Sequence, residues 1–139
     1  ALVRAEDAGV PTLVLDPRAF EDDATYEAIL LSTLAEYGVT HIALAGYLRR
    51  IPSGLVAAFR GRIVNIHPAL LPAYGGPGMY GRHVHRAVIA AKDAYSGATV
   101  HLVDEEYDTG PIVLQDTVPV LPDDDAESLA ARVLRVEHR

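Results

Sequence analysis

The sequence contains no cysteine. Disulfides, thiol nucleophiles and Cys-based zinc or iron–sulfur sites are therefore excluded, and the cytoplasm is the expected compartment. Lys92 is the only lysine, so no lysine motif stands near the loops where Schiff-base chemistry would need one. No run of about 18 apolar residues occurs, so no transmembrane helix is expected. No basic, apolar, small-residue stretch opens the chain as a signal peptide would. Basic residues are few: 12 Lys and Arg stand against 19 Asp and Glu, a formal net charge of -7. That balance argues against a nonspecific nucleic-acid binder, and an anionic substrate would need a local positive patch. No membrane partner is expected either.

What is present is a globular composition. Half of the 139 residues are hydrophobic and 22% are charged, which excludes disorder as the main state. There is no repeat and no internal linker, so one domain over residues 1–139 is expected, truncated at both ends. Ala1 opens the chain, Ala1–Gly9 reads as the tail of a helix stopped by glycine, and Arg135–Arg139 end in mid-helix.

Strands and helices alternate between those ends. Pro11–Leu15 reads as a strand closed by Asp16-Pro17. Ala24–Tyr37 spaces Tyr26, Ile29, Leu30, Leu34 and Tyr37 as a helix, with Asp22 and Asp23 as caps and Gly38 as the stop. Strands are expected at Thr40–Ala45, Arg62–Ile66, Ala98–Val103 and Pro111–Val120, and helices at Pro52–Phe59 and Arg82–Lys92. A final helix starts at Asp124 in a capping box with Glu127 and buries Leu129, Val133 and Val136. This order predicts an α/β fold with a mostly parallel sheet and an antiparallel C-terminal edge. Ligands of such sheets bind beyond the carboxyl ends of strands. That directs attention to Gly46–Ile51, Asn65–Pro72 and Glu105–Gly110.

Asn65-Ile66-His67 closes the third strand, and Pro68 follows. Residues two apart on a strand share a face, so an amide and an imidazole project together. Such a pair can donate two hydrogen bonds to a developing oxyanion. Taken alone, an Asn-x-His more often satisfies a loop backbone through the Asn, with the His packed beside it. Asp108, in Glu106-Tyr107-Asp108-Thr109-Gly110-Pro111, is either a turn aspartate or a carboxylate beside His67 that keeps the imidazole protonated. Gly75–Gly81 is glycine-rich but lacks the dinucleotide and Walker patterns, and reads as a loop able to close on ligand. His83 and His85 fall on different faces of a helix, His101 is mid-strand, His138 is terminal, and no metal-ligand spacing emerges. Arg49 and Arg50 either bind an anion or are solvated. Asp123–Asp125 reads as a solvated helix start that complements the helix dipole.

Read in order, these segments resemble the folate-dependent formyltransferases, and within them the branch acting on glycinamide ribonucleotide in purine synthesis. The resemblance rests on Ala45-Gly46-Tyr47-Leu48-Arg49, Asn65-Ile66-His67-Pro68-Ala69-Leu70-Leu71-Pro72 and Val84-His85-Arg86-Ala87. It continues through Thr99-Val100-His101-Leu102-Val103-Asp104-Glu105, Asp108-Thr109-Gly110-Pro111-Ile112, Arg132-Val133 and Glu137-His138. It covers nearly the whole chain. It implies the Rossmann-like three-layer formyltransferase fold. It also implies 10-formyltetrahydrofolate as co-substrate, glycinamide ribonucleotide as acceptor, no metal, and a monomer or homodimer.

By the same resemblance, Asn65, His67 and Asp108 are the catalytic residues. Leu48, Arg49, Arg50 and Ile51, with Asp104, Glu105, Glu106, Tyr107, Asp108 and Asn65, form the folate pocket. His83 and Glu137 contact the substrate. The family's N-terminal strand and Gly-rich phosphate loop have no counterpart in these residues. Gly-Met-Tyr-Gly at 78–81 replaces the shorter Pro-Gly turn of many members. Other readings share the Asn-x-His and later Asp: a methionyl-tRNA formyltransferase, a formyltetrahydrofolate hydrolase, or a folate-binding domain without catalysis.

Overall fold

The computed structural model describes residues 2–139. They form two compact units, one ending at Val39 and one spanning Thr40–Arg139.

The first unit holds helix α1 (Leu2–Asp7), a 3-10 turn (Pro17–Ala19) and helix α2 (Asp23–Glu36). The stop after α1 is the expected glycine: Gly9 sits at φ 68°, and Val10 N–H returns to the Ala5 carbonyl at 2.8 Å. Pro11–Leu15 forms no strand with any described residue. A strand exists where a neighbour takes its backbone hydrogen bonds, and among the described residues the one sheet does not include this run. Leu13 and Val14 in it are exposed. Asp22 caps α2 by accepting from Thr25 N–H at 2.7 Å. Tyr26 is buried with its ring 5.5 Å from that of Phe20.

The second unit is a four-stranded sheet in the order β1 (Ile42–Leu44), β2 (Ile63–His67), β3 (Tyr95–Leu102), β4 (Ile112–Pro119). Helices α3 (Ser53–Ala58), α4 (Arg82–Ala91) and α5 (Ala126–Glu137) accompany it. β1 and β2 pair in parallel, while β2–β3 and β3–β4 are antiparallel. Three strands therefore run one way, and β3 alone is reversed. The antiparallel C-terminal edge is wider than expected: the hairpin at Glu105–Gly110 sets β4 against β3, and the connection through α4 brings β3 back against β2 as well.

Register gives the sheet two unlike faces. Ala98 and Val118 lie on one, packed with Val88 of α4 and Leu129 and Val133 of α5; Ile66 joins them. Burying these apolar side chains at about 25 cal/mol per Å2 holds α4 and α5 to the sheet. The other face carries polar groups. Asn65 pairs with His101, and His67 with Thr99. The chain after β2 crosses this face. Thr99 Oγ1 accepts from Leu71 N–H at 3.0 Å and donates to the Ala69 carbonyl at 2.6 Å, and Gln115 Nε2 donates to the Leu71 carbonyl at 2.8 Å. These bonds satisfy the polar atoms that burial would otherwise leave unpaired.

The start of α5 differs from expectation. Asp125, not Asp124, is its N-cap, and the capping box closes with Ser128, not Glu127. Asp124 is not solvated. Its carboxylate is buried against Arg132, which also donates to the Pro119 carbonyl at 3.0 Å. Near the other end, α5 runs to Glu137 with His138 as its C-cap.

Candidate active site

A cavity of about 660 Å3 opens beside the polar face. Its wall brings together Leu48, Arg49, Arg50 and Ile51, then Asn65 and His67, then Asp104–Asp108, and finally Glu137. These segments lie far apart in sequence and converge here. One expected residue does not. His83 is exposed, with its ring 5.4 Å from that of Tyr80, and lies outside the cavity wall. α4 turns His85 inward instead, because His85 shares a helical face with Val88 and Ile89.

Asn65 and His67 share a face, as strand alternation requires. Cross-strand pairing adds His101, whose Nε2 lies 3.2 Å from Asn65 Nδ2. His101 Nδ1–H donates to the Leu102 carbonyl at 2.9 Å. In the neutral ring Nε2 is therefore the acceptor that takes the Asn65 amide proton. His67 Nε2–H donates to the Tyr74 carbonyl at 2.8 Å, leaving Nδ1 to face Asp108.

Asp108 bridges both imidazoles. Its Oδ2 lies 3.6 Å from His67 Nδ1 and its Oδ1 3.5 Å from His101 Nε2. β3 runs against β2, so the loop after β3 reaches His67 by folding back, and Asp108 sits at φ 56° in doing so. Gly76 N–H donates to Asp108 Oδ2 at 2.9 Å, which ties the glycine-rich loop to the carboxylate.

The electrostatics correct one expectation. Asp108 does not hold His67 above the ordinary imidazole pKa. Burial pushes His67 down and outweighs the Asp108 charge and the Tyr74 carbonyl. His101 is the ring that is raised: burial opposes its charge, but the Asp108 hydrogen bond and charge, the Leu102 carbonyl and Asp104 together prevail. The Asp108 carboxyl is lowered; burial works against this, and the bonds from His101 and Gly76 with the His67 charge overcome it. Burial also lowers His85, as does the nearby His67, and His85 Nδ1 is buried with no hydrogen-bond partner.

The two segments expected from the sequence to hold the folate are tied to each other. Arg50 Nη2 donates to the Glu105 carbonyl at 3.1 Å, and Arg60 reaches the Glu105 carboxylate at 3.3 Å. Arg50 thus joins the Leu48–Ile51 segment to the Asp104–Asp108 loop. Among the described residues no group of three or more His, Cys, Asp or Glu side chains is placed to hold a metal ion.

A family model described as formyl transferase matches residues 1–139. The chain belongs to the formyl transferase family. A curated relative, the chloroplastic phosphoribosylglycinamide formyltransferase of Arabidopsis thaliana, is 50% identical over 97% of this chain and 47% of its own length. The Bacillus subtilis phosphoribosylglycinamide formyltransferase is 38% identical over 98% of this chain and 67% of its own. The crystal structure of glycinamide ribonucleotide transformylase 1 from Symbiobacterium toebii superposes with a TM-score of 0.90 at 42% identity. It spans 99% of this chain, which in turn spans 63% of it. The chain thus spans about half the length of its plant relative, and it has the formyltransferase fold.

Within this formyl transferase domain, His85 and His101 are site residues that the sequence reading passed over. Two signals pointed to them. His85 stands three and four residues before Val88 and Ile89, on the buried stripe of α4. His101 follows Thr99 by two, so it shares the face of the residue opposite His67.

Proposed function

We propose that this chain carries the catalytic centre for transfer of a formyl group from 10-formyltetrahydrofolate to the amine of glycinamide ribonucleotide, in purine biosynthesis. The observation that carries this reading is the convergence of Asn65, His67, His101 and Asp108 on one wall of a ligand-sized cavity. Its family membership and similarity to phosphoribosylglycinamide formyltransferases support it.

In this reading the Leu48–Ile51 segment and the Asp104–Asp108 loop hold the folate. Glu137, whose carboxyl burial pushes up, receives the amine-bearing substrate. The amine lone pair forms a bond to the formyl carbon, and the carbonyl electron pair moves onto oxygen. Asn65 Nδ2 and, once it carries a proton, His67 Nδ1 meet that oxyanion, while Nε2–H stays on the Tyr74 carbonyl. The growing negative charge favours the His67 imidazolium, offsetting the burial that disfavours it in the free protein. The acceptor nitrogen then loses a proton, with Asp108 as the base. The bond from carbon to the folate nitrogen breaks, its electron pair stays on that nitrogen, and the nitrogen takes up a proton. One formyl group and one proton change places.

The test is formyl transfer by the full chain from 10-formyltetrahydrofolate to three acceptors: glycinamide ribonucleotide, initiator methionyl-tRNA and water. Transfer to the ribonucleotide alone is expected. Transfer to tRNA or water instead would overturn the acceptor and keep the catalytic group.

A further inference from the structure

Tyr74 stands outside the cavity wall, yet its backbone holds one of the wall's imidazoles. Among the described residues it is one of three non-glycine residues at positive φ, at 58°. A bulky side chain rarely adopts that conformation, and where it does the surroundings must enforce it. Two contacts do so here. The Tyr74 ring packs against the cluster of Val88, Ala98, Val118, Leu129 and Val133. The Tyr74 hydroxyl donates to Asp93 Oδ2 at 2.6 Å, and that carboxylate keeps the phenol above its usual pKa, in the donating form. Asp93 follows the left-handed Lys92 that ends α4, with its own N–H directed to the Val88 carbonyl at 3.4 Å. Held at both ends, Tyr74 turns its carbonyl onto His67 Nε2 at 2.8 Å.

We propose that Tyr74 is a positioning residue for His67, anchored by Asp93, and that this pair fixes the ring with its proton on Nε2 and Nδ1 toward Asp108. The consequence is chemical. A carbonyl accepts only, so Nε2 stays protonated in both charge states, and Nδ1 is the one nitrogen of His67 that gains or loses a proton. Proton traffic at His67 is thereby confined to the side that faces Asp108. Were the ring free to exchange tautomers, part of its neutral population would carry the proton on Nδ1 and leave a bare Nε2 against the Tyr74 carbonyl. The inference rests on the proposed formyl transfer for its kinetic consequence, but the ring state itself does not depend on that reading.

The test uses the full chain labelled with nitrogen-15 in histidine, together with Tyr74→Phe, Asp93→Ala and Asp93→Asn. Asp93 is exposed, so its variants leave the core intact. In the parent, His67 is expected as a single Nε2–H tautomer. Tyr74→Phe and Asp93→Ala are each expected to give a mixture of tautomers. They should lower kcat on the order of tenfold while KM for the folate changes little. The double variant should be no worse than either single one. Asp93→Asn retains a carbonyl acceptor and should recover most of the loss. A His67 ring that stays a pure Nε2–H tautomer in both Tyr74→Phe and Asp93→Ala would overturn the proposal, even with a lowered melting temperature. If no form of the chain transfers formyl groups, the tautomer measurement still decides, and the proposed reaction fails separately.

Discussion

Asp108 Oδ2 lies 3.6 Å from His67 Nδ1, and the carboxylate is held there largely from outside its own loop. Gly76 N–H donates to the same oxygen at 2.9 Å. A Cβ placed on the neighbouring Gly75 would stand 3.1 Å from Asp108 Cβ and 2.7 Å from Leu71 Cδ2. The glycine-rich loop therefore packs directly on the carboxylate that serves both imidazoles. The loop is thus a support for the Asp108 carboxylate.

Asp108→Asn is expected to fold and to lose catalysis. The amide is close in shape but carries no charge for His67 or His101. Turnover should fall by about 100-fold to 1,000-fold, the usual effect of removing one electrostatic contributor from a preorganised site. Steady-state kinetics with circular dichroism and a melting curve checks this. Near-parental turnover would remove Asp108 from the mechanism.

The two imidazoles should titrate in opposite directions, His101 above the ordinary value and His67 below it. A raised folded value stabilises the fold below the unfolded pKa, and the contribution is lost as pH rises through the folded one. His101 behaves so. His67 and His85 are lowered, so they favour the fold above the ordinary value and oppose it as pH falls through their folded values. Histidine ring shifts followed by NMR from pH 4 to 9 (a window spanning about 2.5 units either side of the ordinary value) would resolve all three. In Asp108→Asn the His101 value should drop, and a His101 value unmoved by that change would contradict the assignment.

Gly110→Ala should destabilise the β3–β4 hairpin. Its Cβ would lie 1.9 Å from the Leu102 carbonyl oxygen, a backbone atom that cannot rotate away. The strands must part, at a cost of about 1–3 kcal/mol or more. Because Gly110 closes the loop carrying Asp108, activity should fall as well. Urea unfolding compared with the parent gives the stability term, and an unchanged midpoint would show that the hairpin yields freely.

Arg132→Met removes the cation from the buried Asp124 carboxylate, which keeps only Leu121 N–H and the Ser128 hydroxyl, and takes the guanidinium from the Pro119 carbonyl. A loss of about 1–3 kcal/mol is expected. The Asp124 carboxyl is held well below the usual range, chiefly by the Arg132 hydrogen bond. It therefore stabilises the fold above the ordinary carboxylate pKa, and that contribution is lost as pH falls through the folded value. Arg132→Met should accordingly lose less stability than the parent between pH 5 and pH 3, where carboxylates titrate about their ordinary value near 4. Parallel acid-unfolding curves would count against the pairing.

Much of the second unit was legible in the sequence by itself. Apolar runs ended by Gly or Pro marked β1 to β4 within a few residues, and the helical spacing of Val84, Val88, Leu129 and Val133 marked the buried stripes of α4 and α5. Strand alternation placed Asn65 and His67 on one face. These features follow from local geometry, where side-chain period and backbone dihedrals suffice. The tertiary structure alone decided what depends on neighbours far along the chain. Pro11–Leu15 has the composition of a strand, but pairing makes a strand, and no described residue pairs with it. Asp124 looked solvated until Arg132 closed over it. Asp108 meets His67 only because a reversed β3 sends its loop back across the sheet. And the sign of the His67 shift came from burial overriding a charge, a balance of desolvation and distance that no spacing of residues encodes.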